Sequence, residues 1–134
     1  CRARSDAMKV VNPSSICAPV GLYSHGIVAP AAGQWLHVAG QVGVLPDGTV
    51  AEGFEAQARA AWQNLLAILR DAGMGVEHLV KVNSYLVEAS HLPLLGKVRA
   101  EFQQSTRPAS TLLIVEALAR PEWLYEVDAV AFRP

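Results

Sequence analysis

Apolar positions along this chain alternate between two periods, and the switches between them mark out the elements. QWLHVAGQVGV (residues 34–44) sets Trp35, His37 and Ala39 against Leu36 and Val38, the period-2 pattern of a half-buried strand. LYSHGIVAP (22–30), just before it, has enough β-branched and aromatic character for a first strand. PDG at residues 46–48 supplies turn chemistry, with proline fixing φ and glycine accepting φ > 0. In EGFEAQARAAWQNLLAILRDAG (52–73) the period lengthens. Phe54, Ala58, Ala61, Trp62, Leu65, Ile68, Leu69 and Ala72 form one stripe, while Glu55, Gln57, Arg59, Gln63, Asn64 and Arg70 take the other side. This predicts an amphipathic helix lying on a sheet, with Gly73 as its C-terminal cap.

The second half repeats the alternation. HLVKVNSYLVEA (78–89) sets Val80 and Val82 against Lys81 and Asn83, as a strand does. SHLPLLGKVRAEFQQ (90–104) predicts a helix with Ser90 as N-cap and Leu94, Leu95, Val98 and Phe102 as its apolar stripe, weakened but not broken by Gly96. STLLIVEA (110–117) and LYEVDAVAF (124–132) finish the chain as strands. The latter puts Tyr125, Val127, Ala129 and Ala131 on one face and Glu126 and Asp128 on the other. The order β-β-α-β-α-β-β predicts an α+β domain, one sheet with two helices on one face. The other sheet face then needs a cover. LLIV at residues 112–115 is apolar on both sides, and a monomer would expose more apolar area than soluble monomers tolerate. Self-association through the open face is expected.

Composition narrows the picture. The 134 residues fit one domain, 51% hydrophobic and 17% charged, with a formal net charge of -1. No basic cluster longer than CRAR occurs, which argues against a nucleic-acid partner. No apolar run is long enough to span a bilayer, so no membrane partner is expected. CRARSDA (1–7) reads as a tag remnant before Met8, leaving residues 8–134 as a single domain. Cys17 is then a lone cysteine, consistent with a reducing, cytoplasmic setting and expected to be a semi-buried thiol without a nucleophilic role. His37, His78 and His91 have no metal-ligand spacing with Cys, Asp or Glu, so no metal site is expected.

Several segments, taken in order, resemble the RidA/YjgF family of reactive-intermediate deaminases. GLYSHG matches the family's G-P-Y-S-Q, VAGQVGV its strand ending in S-G-Q, and VKVNSYL its V-K-(T/V)-x-V-(F/Y)-L. The helix ending LLAILRDAG, RPAST and YEVDAVA complete a resemblance over residues 15–132. It implies a chorismate-mutase-like fold, a homotrimer around an inner barrel, and small-metabolite clefts between copies that need no cofactor. Family deaminases hydrolyse imines of amino acids, and an arginine following R-P-A forks onto the substrate carboxylate. Here that position is Ser110, so efficient 2-imino acid deamination is not expected. What remains is hydrolysis of another imine, enamine or carbonyl compound, or non-catalytic metabolite binding; the ribonuclease activity attached to some members ranks last.

The resemblance also assigns roles. Glu126 falls where the family keeps the glutamate that positions water; the plainer alternative is a carboxylate paired with a neighbouring cation. Tyr23, Gly40, Gln41 and Ser110 fall at ligand-contacting positions, and Ala39 replaces a frequent serine. His25 replaces the glutamine of Y-S-Q, with a surface imidazole the commoner outcome. Arg99, where the family more often has an aromatic, is a candidate substitute cation, against the commoner solvated helix charge.

Overall fold

A computed structural model describes residues 8–134; the CRARSDA segment lies outside them. The elements are β1 (Lys9–Val11), β2 (Gly26–Val28), β3 (Gln34–Val42), α1 (Phe54–Asp71), β4 (Leu79–Leu86), α2 (Leu92–Gln103), β5 (Ala109–Ile114) and β6 (Tyr125–Arg133). The order is therefore β-β-β-α-β-α-β-β, one strand more than the sequence pattern predicts. β1 has only three residues, too few to display a period. It pairs antiparallel with β2 as a separate two-stranded ribbon. The main sheet runs β3-β6-β4-β5, antiparallel except for the parallel β4/β5 pair that α2 connects.

Both helices pack on the same sheet face. Phe54, Ala58, Ala61, Trp62, Leu65 and Leu69 of α1 join Leu95 and Val98 of α2 over Val38, Val82, Leu86, Val127, Ala129 and Ala131. Ala58, Ala61, Ala129 and Ala131 keep the helix close to the strands. The leucines and Trp62 supply most of the buried area, each large apolar side chain contributing about 1.5–3 kcal/mol. Gly73 ends α1 as its spacing predicts. With φ +71, it lets its own N–H reach the Arg70 carbonyl (3.0 Å) and that of Met74 reach Leu69 (2.8 Å), the paired bonds of a Schellman cap. At the PDG turn, Gly48 has φ +87 and Asp47 accepts the Thr49 amide at 3.0 Å.

Five side-chain expectations fail. Ser90 is not the α2 cap: that position is His91, without a side-chain cap bond, and Ser90 lies in the preceding 3₁₀ turn, Ala89–His91. Gln57, placed on the solvent side of α1, is buried. It donates to the Glu122 carbonyl (3.0 Å) and accepts the Leu124 amide (2.9 Å), pinning the loop before β6. Leu94 is exposed, and Arg99 takes a core position on α2 instead. Cys17 is exposed rather than semi-buried.

The open face is more polar than the strand pattern suggests, because β4 and β6 turn Lys81, Asn83, Glu126 and Asp128 outward. Within the main sheet, large exposed apolar side chains lie on edge strand β5, at Leu112, Leu113 and Ile114, and at Trp35 on the opposite edge strand; Val10, Ile16, Val20 and Val28 of the N-terminal segment are exposed as well. Leu112 and Ile114 share the register of Ser84 and Leu86 on the helix side, and Leu113 that of Tyr85 on the open side. β5 is therefore apolar on both faces, as expected. Among the described residues no helix is long and apolar enough to cross a membrane.

Candidate functional site

Glu126 sits near the start of β6, paired with Tyr85 on one side and Val42 on the other. The register shift in β3 between Val38 and Gln41 brings Gly40 beneath its carboxyl group. A Cβ on Gly40 would lie 2.8 Å from Glu126 Cδ and 2.9 Å from Oε2, so only glycine leaves the carboxylate its place. Gln41 follows directly, its side-chain amide turned back to the Ala39 carbonyl at 3.1 Å.

No cation pairs with Glu126 among the described residues, so it is not the ion-paired carboxylate of the plainer alternative. Its charged neighbour is Asp128, two residues along the same face. Burial, then the Asp128 charge, push the Glu126 carboxyl above the usual carboxylate range. Asp128 is held on the other side by Asn83 Nδ2 (2.8 Å) and the Tyr85 hydroxyl (2.9 Å), both donating to it. These three residues escape sequence reasoning as site residues. The only signal for Asp128 is its spacing of two from Glu126, which a solvated strand face shares.

Ser110 and Arg99 come together elsewhere. Ser110 is level with Val82 on β4 and Ala129 on β6, so it faces the helices. Arg99 Nη1 donates to Ser110 Oγ at 3.2 Å, and Nε to Gln103 Oε1 at 2.7 Å. Gln103 is fully buried and donates in turn to the Leu22 carbonyl at 3.0 Å. Arg99 is only 7% exposed, which overturns the solvated helix charge. Its guanidinium lies 5.9 Å from the centroid of the Trp62 ring, and burial pushes its pKa below the ordinary value.

Tyr23 belongs to the Arg99 neighbourhood through the backbone. Ser24 donates its amide to the Pro108 carbonyl (2.8 Å) and its hydroxyl to the Arg107 carbonyl, and it bridges Ala109. Tyr23 also lines a cleft of about 420 Å³ under the β1–β2 ribbon, with Ile27, Leu79, Thr106 and Arg107. Neither Glu126 nor Ser110 reaches that cleft. His25 is the surface imidazole expected, its Nε2 2.7 Å from the Cys17 carbonyl oxygen.

Two clusters thus exist within one chain: Glu126 with Gly40 and Gln41 on the open face, and Ser110 with Arg99 at the start of β5. Glu126 and Ser110 are two strands and three register positions apart. That is about 10 Å across and about 10 Å along the sheet, on opposite faces. No single cavity of one chain can contain both.

A family profile described as Endoribonuclease L-PSP matches residues 14–133. A RutC family protein of Synechocystis is 32% identical over 131 residues, spanning 95% of this chain and 98% of its own length. The 2-iminobutanoate/2-iminopropanoate deaminase of Rattus norvegicus is 27% identical over 92% of this chain and 88% of its own. Among solved structures, the Rid-family protein YyfB of Yersinia pestis, of unknown function, superimposes with a TM-score of 0.84. It is 29% identical over 94% of this chain and 98% of its own. RidA of Psychrobacter gives 0.72, with 27% identity over 93% and 99%.

Proposed function

The chain belongs to the RidA/YjgF family, and on that premise we propose that it assembles as a homotrimer whose clefts between copies hydrolyse a small imine, enamine or carbonyl metabolite. The observation that carries this proposal is the Glu126 carboxyl. It is seated over Gly40, unpaired with any cation among the described residues, and raised in pKa beside Asp128. A carboxyl group poised in this way suits proton exchange with a water attacking an imine carbon. Water adds to the imine carbon while Glu126 takes one of its protons and passes it to the nitrogen, giving a carbinolamine; the same carboxyl then moves the proton of the new hydroxyl to the nitrogen as the C–N bond breaks, releasing ammonia and the carbonyl product. No cofactor enters.

Assembly is supported by the separation of the two clusters within one chain and by the apolar edge of β5. A cleft bordered by two copies can present Glu126 of one beside Ser110 and Tyr23 of the next. Ser110 argues against ordinary 2-imino acids as good substrates, because a hydroxyl cannot fork onto a carboxylate as arginine does. Loss of such a charge-assisted anchor costs about 2–5 kcal/mol in holding an anion. The missing fork also favours a second possibility, a metabolite-binding trimer without catalysis. One assay separates the two: imine decay followed by semicarbazone trapping, with the imine generated in place by an amine or amino-acid oxidase. Acceleration that disappears in Glu126→Gln supports the hydrolase. Ligand binding without acceleration of any imine selects the binding protein.

A further inference from the structure

Glu126 and Asp128 form an acid pair that folding alone does not call for. Both turn from β6 to the open face, about 7 Å apart along the strand, where like charges repel. The cross-strand positions that could offset the repulsion hold neutral residues: Tyr85 stands opposite Glu126 and Asn83 opposite Asp128. A lysine or arginine at either would pair with the acids. The face does carry a lysine, Lys81, but its ammonium donates to Thr111 Oγ1 on β5 at 2.8 Å.

The two acids are held differently. Asn83 Nδ2 donates to Asp128 Oδ1 at 2.8 Å, and the Tyr85 hydroxyl donates to Oδ2 at 2.9 Å. Each Asp128 oxygen thus accepts from a neutral donor, the pattern of a carboxylate rather than of a carboxylic acid, whose proton would need an acceptor. The bond to Asp128 also pushes the Tyr85 hydroxyl above its usual range, which keeps it a donor. Glu126 has no such clamp, and its carboxyl rests against Gly40. One acid is fixed, and the other is free to exchange a proton.

We propose that Asp128 is a positioning residue for the Glu126 site: Asn83 and Tyr85 fix its carboxylate as a standing negative charge on the same face, and that charge makes Glu126 the better base toward water. The proposal rests on the reading of Glu126 as the proton-exchanging group and adds the residues that set its proton affinity. The other titratable groups on this face are Tyr85 and Lys81 of β4 and His37 of β3. Lys81 and His37 lie level with Val130, one row beyond Asp128, and β5 presents Ala109, Thr111 and Leu113. Asp128 is therefore the charged group in the row next to Glu126. Burial is the larger cause of the raised Glu126 carboxyl and Asp128 the smaller, so removing the charge should lower it only part of the way.

The test is a carbon-13 NMR titration of the Glu126 carboxyl in the intact protein, beside the pH profile of imine decay. Asp128→Asn keeps the shape of the side chain but not its charge, and should move the Glu126 midpoint to lower pH. The acid limb of the rate profile should move with it, and the rate at neutral pH should fall by less than the loss of about a hundredfold expected of Glu126→Gln. Tyr85→Phe frees one Asp128 oxygen and should move the midpoint a smaller distance the same way, with no further effect in the Asp128→Asn background. A midpoint unmoved in Asp128→Asn, or a Tyr85→Phe shift that persists in that background, overturns the proposal. If Asp128→Asn fails to fold, an unmoved midpoint in Tyr85→Phe overturns it instead. The midpoint is read without turnover, so a chain that shows these shifts but hydrolyses no imine refutes the hydrolase reading and leaves the hold of Asp128 on Glu126 standing.

Discussion

Replacing Ser110 by the arginine that the family resemblance implies at this position should destabilise this protein, because Ser110 is already committed to Arg99. The substitution removes the oxygen that accepts from Arg99 Nη1 at 3.2 Å. Leaving that buried charged donor unpaired costs about 1.5–3 kcal/mol. It also introduces a second guanidinium that cannot shed its proton. Two such charges at about 5 Å repel by about 3 kcal/mol at an effective dielectric of about 20, less when the new side chain swings into solvent. The expected penalty is about 2–5 kcal/mol. Urea denaturation at fixed protein concentration, in a double-mutant cycle with Arg99→Met, measures it. Removing Arg99 should relieve most of the damage, so the double variant should be more stable than the sum of the single effects by about 2 kcal/mol. A Ser110→Arg protein within about 0.5 kcal/mol of wild type, or strictly additive penalties, refutes the coupling between these residues.

Further outcomes follow from other contacts. Glu126 has a folded-state pKa raised above its unfolded value, so its stabilising contribution is full below the unfolded pKa and lost as pH rises through the folded one. Glu126→Gln should therefore raise stability at neutral pH, with the gain shrinking as pH falls through the ordinary glutamate range; a gain independent of pH contradicts this. Tyr125, fully buried and with its hydroxyl pushed up to about 12 by burial, accepts from Trp62 Nε1 at 3.0 Å and lies 3.0 Å from Ser84 Oγ. Tyr125→Phe should cost about 2–5 kcal/mol by orphaning both partners, checked by denaturant unfolding. Gly96 in α2 has nothing within 4 Å of a built Cβ and no positive φ, so Gly96→Ala should stabilise by about 0.5–1 kcal/mol, read as a higher denaturation midpoint. Gly43→Ala, whose Cβ would fall 2.5 Å from the Gln57 backbone, should destabilise by about 1–3 kcal/mol or more. Gly40→Ala should instead displace the Glu126 carboxyl and suppress imine hydrolysis at little cost in stability.

The elements with long, regular periods were legible from the residues. The stripe from Phe54 to Leu69 and the alternation of Tyr125, Val127, Ala129 and Ala131 put their side chains in the core as the pattern requires. The polar residues inside were not legible, because burial of a polar group depends on partners distant in sequence. Gln57 is satisfied by a carbonyl 65 residues away and Gln103 by one 81 residues away, and no local window contains either pair. Arg99 looked like a surface charge because its cover comes from Trp62 on the other helix, although its hydrogen-bond partners Gln103 and Ser110 are close along the chain. Ser110 stood out beside the family pattern, but its partner on α2 emerged only from the three-dimensional arrangement. Glu126 and Gly40 were both named, whereas their contact depends on the β3 irregularity, which a period-2 count passes over.

The most direct test of the proposed function is the rate of imine decay in the presence of the wild-type protein and of Glu126→Gln, compared at equal oligomeric state in sedimentation. General acid–base participation contributes about 10²–10⁴-fold. The wild-type protein should accelerate the hydrolysis of at least one small imine, and Glu126→Gln should lose about a hundredfold or more of that rate while sedimenting as the same species. Equal rates for the two proteins, or a wild type that sediments only as a monomer at micromolar concentration, contradict the account.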